Sequence, residues 1–396
     1  MKKYFYPLIE NPYRKKDLYA AKKVISTGRI TMGKFTSLFE NKFTNKLKTK
    51  YSLMVNSGSS ANLLALQCLI NPYRKKRLEY GDEVLVPALC WSTSLWPIIQ
   101  SGLKPIFVDI NPNTLNIDLN LLQKKITKKT KALMLVHVLG NSTKMDVLLK
   151  IIKKNKLILI EDTCESLGSK FNNKFLGTFG DISTFSFYSS HQISSGEGGM
   201  ISCKTEEDYE IIKALRSHGW SRGLKNEKKI SNTYKNLDKR FIFYNSGFNL
   251  RPTDISAAIG LSQFNDFEKL RLIRNKNRNI IVKKFKANEK IKNNLIFIEA
   301  NDLVSPSWFS IPILVKNKKN RNRFIKQIEQ KGIETRPIIS GNFLKQPAVK
   351  KYKLSKKEKF ISADLINDCG FFIGIPNKKI SNTFLKKIEI IFETSI

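Results

Sequence analysis

The feature that most constrains the fold is an alternation between about residues 50 and 205. Short apolar, β-rich runs recur there at residues 52–57, 83–88, 105–110, 132–138, 157–162, 183–188 and 199–203. Helical spacing fills the stretches between them, at residues 62–70, 119–126 and 146–154. Strands that alternate with helices build βαβ units and a mostly parallel sheet. Several of the runs are apolar throughout, as strands covered on both faces are.

Beyond residue 205 the pattern changes. Residues 206–216 and 252–284 read as helices, the second one long. A smaller mixed unit follows from about residue 295, with a strand-like run at 308–315 and helices near 320–331 and 383–392. The expected organisation is a large domain over residues 1–262 and a small C-terminal α+β domain over residues 263–396, with the N-terminal segment packing on the small one. The hexapeptide Asn-Pro-Tyr-Arg-Lys-Lys occurs at 11–16 and again at 71–76. It is too short for a fold repeat, and each copy reads as an Asn-Pro turn.

Composition narrows the function classes. The chain has 396 residues, of which 41% are apolar, so a large core is available and disorder is not expected. No apolar run approaches the roughly 18 residues of a membrane helix. The opening residues are basic and are broken by Pro7, Glu10 and Pro12, a poor signal peptide, so a cytoplasmic protein is expected. The net charge of +37 admits nucleic-acid binding. Lysines are spread along the whole chain rather than gathered on one face, which favours compositional bias and no nucleic-acid partner. A basic surface still suits an anionic ligand such as a nucleotide diphosphate. The five cysteines, Cys68, Cys90, Cys164, Cys203 and Cys369, form no CxxC or CxC pair. Neither a disulfide framework nor a metal site is expected from that spacing.

Four motifs follow one another in the α/β region. The first runs from Asn56 to Asn62 (NSGSSAN). It ends a strand and opens a helix, so Gly58 and Ser59 can bring backbone and hydroxyl donors to a phosphate; the same residues also make an ordinary Ser cap. The second, Val86 to Thr93, presents Trp91 after a Pro turn, either to stack on a flat ring or to fill core. In the third, Asp162 ends a buried strand, where open α/β sheets place ligands, and Glu165 follows three residues later. A carboxylate there can hold a pyridinium N–H, or can cap a helix. The fourth, Ser186 to Met200, holds His191 in a polar turn before a Gly-rich return. Only three histidines exist, His137, His191 and His218. An imidazole in a ligand-facing loop can move protons in either direction near neutral pH.

The ordered set resembles the DegT/DnrJ/EryC1/StrS family of sugar aminotransferases. Further matching segments are Thr31 to Lys34, His137 to Asp146 and Gly247 to Pro252. The resemblance implies an aspartate-aminotransferase-like fold (PLP fold type I) and pyridoxal 5'-phosphate, or its pyridoxamine form, as cofactor. In that family the fourth motif carries a lysine that binds the cofactor covalently, and His191 holds its place here. The replacement resembles the subgroup of nucleotide-sugar 3-dehydratases, supported by residues 216–222, 306–309, 333–338 and 341–345.

The resemblance implies residue roles as well. Gly58, Ser59 and Ser186 hold the cofactor phosphate, and Asn249 reaches it across a homodimer. Trp91 stacks on the ring, Asp162 pairs with its nitrogen, and Glu165 lies near its hydroxyl. His218, Arg251, Trp308 and Arg336 are candidates for sugar or nucleotide contacts. The implied substrates are L-glutamate and a nucleotide-linked 4-keto-6-deoxy sugar, GDP-linked and mannose-derived by overall likeness. Histidine can move a proton but cannot tether the cofactor, which points to loss of the C3 hydroxyl rather than to amination. Rival readings are an aminotransferase homologue, an iron–sulfur dehydrase and a non-catalytic cofactor-binding homologue.

Overall fold

A computed structural model describes residues 4–354 and 358–396. Its centre is a seven-stranded sheet, and each of its strands matches one of the seven apolar runs. Across the sheet the order is Tyr51–Val55, Gly199–Cys203, Ile182–Ser186, Ile158–Asp162, Thr130–Val136, Glu83–Pro87 and Lys104–Val108. Strand Gly199–Cys203 runs antiparallel to both its neighbours, and the remaining pairs are parallel. Five-residue strands that are buried end to end, such as 182–186 and 199–203, have both faces covered.

The helices follow from local chemistry. Ser57 caps helix Gly58–Leu69 by accepting from the Ser60 backbone N–H, and Thr205 caps Glu206–Arg216 through the Asp208 N–H. Asn11 and Asn71, which open the two copies of the hexapeptide, each accept from the backbone N–H two residues on. Both are therefore Asn-initiated turns, as expected.

The long helix expected over 252–284 is two helices, Asp254–Phe264 and Phe267–Ala287. They part at Asn265–Asp266, where Arg14 and Lys16 both ion-pair with the Asp266 carboxylate. Phe264 and Phe267 stack across the break with centroids 5.6 Å apart. Periodicity cannot register such a kink, because the apolar spacing continues through it. The strand expected over 308–315 is confined to Ile311–Val315.

Past the break, a four-stranded antiparallel sheet has the order Leu295–Phe297, Ile311–Val315, Gly370–Ile373 and Thr335–Arg336. Ile281, Val282 and Phe285 of the second helix pack into its core. The N-terminal segment joins this sheet: Tyr6 bridges Ile333, and its hydroxyl donates to the Gly374 carbonyl at 2.7 Å. A short ribbon of Val304–Ser305, Lys170–Phe171 and Lys174–Phe175 links the two sheets. One apolar cluster also runs without a break from the large sheet to Ile338 and Phe372. No described helix is long and apolar enough to cross a membrane.

Asp254 closes the N-terminal part of the chain onto this frame. Its buried carboxylate accepts from the backbone N–H groups of Gly33, Phe35 and Thr36 and from the Thr36 hydroxyl. Asp254→Ala leaves these donors without a partner. The expected result is a loss of roughly 2–4 kcal/mol, read as a lower denaturant midpoint at unchanged slope.

Candidate active site

The carboxyl ends of the central parallel strands converge on one cavity of about 710 Å³. Gly58 and Ser59 follow strand 51–55, Trp91 follows 83–87, Asp162 ends 158–162 and Ser186 ends 182–186. The loop from Ser186 to Gly199 returns along the same edge and carries His191. The opposite wall comes from the small sheet and the N-terminal segment: Leu8, Phe309, Ser310, Glu334, Arg336 and Phe372. The cavity therefore lies where the two sheets meet, outside the strand ends, as expected for an open α/β sheet.

At one end the backbone is shaped for an anion. The twelve-residue helix Gly58–Leu69 starts there, and its first N–H groups face the cavity edge with the positive end of the helix dipole. Only glycine fits at 58: an added Cβ would lie 2.6 Å from the Ser186 Cβ and 3.0 Å from the Cys164 Sγ. The Ser59 hydroxyl, exposed at the rim, donates to Thr93 Oγ1 at 3.2 Å.

Asp162 forms the floor. Its Oδ2 accepts from Asn62 Nδ2 at 2.9 Å and Ser94 Oγ at 2.7 Å, and Oδ1 accepts from the Cys164 N–H at 3.1 Å. Thr184 orients Asn62 by donating to its Oδ1 at 2.6 Å. Glu161, the preceding residue, points to the other face of the strand. There it takes His137 Nε2 at 2.9 Å and the backbone N–H groups of Gly177, Phe179 and Gly180 at 2.6–2.8 Å. Burial pushes the Glu161 carboxyl up, but the His137 contact and these N–H groups outweigh it and hold it below its ordinary range. Glu165 goes the other way. Burial raises its carboxyl to about 7, against one hydrogen bond from the Leu139 N–H at 3.0 Å and with help from the charge of Asp162.

His191 sits between aromatic rings. Phe309 meets it edge to face at 5.3 Å and Tyr188 at 6.0 Å. Its Nδ1 is buried without a hydrogen-bond partner. Burial lowers the imidazole to about 4, against a smaller upward pull from the Tyr188 backbone, so the ring is neutral near pH 7. The next residue anchors the loop: the Gln192 side-chain amide donates to the backbone carbonyls of Glu165 and Ser307.

Eight of the expected residues line this one cavity: His191, Gly58, Ser59, Trp91, Asp162, Glu165, Ser186 and Arg336. Trp91 is 57% exposed, an open face rather than core. Trp308 does not line it and is corrected to a core residue. It is 3% exposed, and the Arg278 guanidinium lies over its ring at 4.7 Å. Its neighbour Phe309, at a bend just before strand 311–315, faces the cavity instead.

Asn249, His218 and Arg251 also lie outside the cavity and form a cluster of their own. Arg251 Nε donates to Asn249 Oδ1 at 3.0 Å, its Nη2 lies 3.3 Å from His218 Nε2, and its guanidinium covers Trp220 at 5.4 Å. Asn62, Ser94, Phe309, Ser310 and Glu334 were not singled out in the sequence. Asn62 closes the first motif, one helical turn after Gly58, and Ser94 follows the second motif by one residue, three after Trp91. Phe309 and Glu334 lie in the segments 306–309 and 333–338 that support the resemblance, without a role assigned to them there, and Ser310 follows the first of these segments.

Residues 12–377 match the DegT/DnrJ/EryC1/StrS aminotransferase family. The chain is 37% identical over 374 residues to GDP-4-keto-6-deoxy-D-mannose 3-dehydratase of Escherichia coli O55:H7, covering 93% of this chain and 95% of that protein. Among solved structures, an E. coli GDP-4-keto-6-deoxy-D-mannose-3-dehydratase with bound hydrated PLP superposes with a TM-score of 0.91 at 35% identity, over 99% of this chain and 100% of that one. A second structure, GDP-4-keto-6-deoxymannose-3-dehydratase with a trapped PLP-glutamate geminal diamine, gives 0.90 at 35% identity, over 98% and 100%.

Glu161 offers a test of the support beneath the site. Its folded carboxyl lies below the ordinary value, so its stabilisation is complete above that ordinary value and is lost as pH falls through the folded one. Glu161→Gln is expected to unfold more readily at neutral pH by roughly 3–5 kcal/mol. The gap to wild type should narrow in denaturant titrations at acid pH.

Proposed function

We infer the function from a plain premise: this chain belongs to the DegT/DnrJ/EryC1/StrS aminotransferase family. Within it, we propose a pyridoxal-phosphate-dependent nucleotide-sugar 3-dehydratase. The substrate would be a GDP-linked 4-keto-6-deoxy hexose of the mannose series, and L-glutamate the amino donor. The observation that carries this reading is His191, an untethered imidazole at the position where the family's aminotransferases carry lysine.

The residues present fit the cofactor. A Cβ at Gly58 would fill a cradle beside Ser186, a helix N-terminus opens there, and a thrice-bonded carboxylate, Asp162, lies at the strand end. Gly58, Ser59 and Ser186 would hold the phosphate, Asp162 the ring nitrogen, Trp91 the ring face and Glu165 the ring hydroxyl. When bound, pyridoxal phosphate supplies an electron sink and, in its amine form, carries the amino group between glutamate and the sugar ketone. Asn249 would reach the phosphate of a partner subunit in a homodimer, with His218 and Arg251 beside it. Residues 1–262 would then provide the cofactor side, and residues 263–396 the substrate side through Arg336.

The balance of atoms is closed. Glutamate becomes 2-oxoglutarate and ammonia, and the sugar loses the oxygen at C3; the two electrons come from glutamate. His191 is the base and acid of this sequence. Neutral when free, it takes one proton and can return it to the departing C3 hydroxyl. A lysine there would bond the cofactor and bias the outcome toward an amino sugar. No described group of three or more His, Cys, Asp or Glu is placed to hold a metal ion.

Incubation with pyridoxal phosphate, L-glutamate and a GDP-linked 4-keto-6-deoxy hexose is expected to release ammonia and a 3-deoxy-4-keto sugar. A stable aminated sugar would sink the reading. His191→Asn is expected to lower turnover by about 10²–10⁴-fold while cofactor binding, followed by absorbance, persists. The acid limb of kcat/KM should fall near pH 4 rather than at the ordinary histidine value.

A further inference from the structure

One wall residue has a feature that the cofactor chemistry leaves unused. Ser310 lines the cavity and is only 1% exposed, and its Oγ has no hydrogen-bond partner. A buried hydroxyl without a partner costs on the order of a whole hydrogen bond, so such groups are rare in cores. The cost is recovered when a ligand brings the missing partner.

The hydroxyl is also held in place. The Arg274 guanidinium, from the helix behind, donates to the carbonyls of the two preceding residues, Trp308 at 3.0 Å and Phe309 at 2.5 Å. On the other side Ile311 enters the sheet, paired with Ile373. Ser310 therefore sits between a pinned loop and a strand, next to the ring that packs on His191. A preorganised polar group at this position can read a ligand without losing much entropy.

The chemistry selects among the ligands. The anion-shaped end of the cavity, at Gly58 and Ser186, belongs to the opposite sheet. The glutamate carboxylates are best met by a guanidinium, and Arg336 on the same wall, paired with Glu334 at 2.8 Å, carries one. A neutral hydroxyl gives one donor and two acceptor lone pairs, the complement of another hydroxyl. We propose that Ser310 is a sugar-specificity residue, its hydroxyl bonding a ring hydroxyl of the hexose presented to His191. This assignment rests on the nucleotide-sugar reading above.

Calorimetry on the pyridoxal-phosphate-loaded protein tests it, with GDP-mannose and GDP alone as probes. Ser310→Ala is expected to weaken GDP-mannose about tenfold, the loss of one hydrogen bond, and to leave GDP unchanged. Because the hydroxyl has no partner in the protein, the thermal midpoint of the ligand-free variant should equal or exceed that of wild type. Equal affinities of variant and wild type for GDP-mannose would overturn the assignment. So would a lowered midpoint with both probes weakened alike, which marks a structural role. Wild type that binds neither probe would remove the nucleotide-sugar reading and this assignment with it, whereas the first two failures leave that reading intact.

Discussion

The site depends on two adjacent carboxylates at the end of one strand. A strand sends successive side chains to opposite faces, so Glu161 and Asp162 act on different sides of the sheet. Glu161 gathers His137 and three backbone N–H groups and fixes the loops beneath the cavity. Asp162 faces the cavity and is itself aimed by Asn62, Ser94 and the Cys164 N–H. A buried carboxylate with fewer donors would take up a proton rather than stay charged. Strand 158–162 is the fourth of seven in the sheet and has a parallel neighbour on each side.

His191 and Glu165 show how one cavity can set two groups differently. Burial acts on both, but it disfavours the charged form of each. It therefore lowers the imidazole to about 4 and raises the carboxyl to about 7. The result is a neutral imidazole and a carboxyl raised toward neutral pH within one cavity. Phe309 supplies part of that burial from the small sheet, so the proton chemistry depends on how the two sheets meet. Arg274 keeps Phe309 there through its carbonyl, and Phe372 supports the ring edge to face at 6.0 Å.

Much of the fold was legible in the sequence. All seven strands of the large sheet stood out because strands buried on both faces are apolar throughout. Gly58, Trp91, Asp162 and Ser186 were legible for a related reason: the ends of such strands are where polar residues first reappear. The break at Asn265–Asp266 was not legible, since a helix that kinks at a surface ion pair keeps its apolar spacing. Trp308 was misplaced and Phe309 missed because the sequence shows an aromatic pair without showing which ring the preceding loop turns inward.

The sequence by itself determined the doubly covered sheet, the order of its motifs and the presence of His191 in the loop of the fourth one. Each of these is written in local residue pattern or in a single residue identity. Only the tertiary structure decided what surrounds that histidine. Phe309, Ser310 and Arg336 come from more than a hundred residues away, and their approach is fixed by packing between two sheets. The environment that keeps His191 neutral is thus a property of that contact, which no periodicity along the chain records.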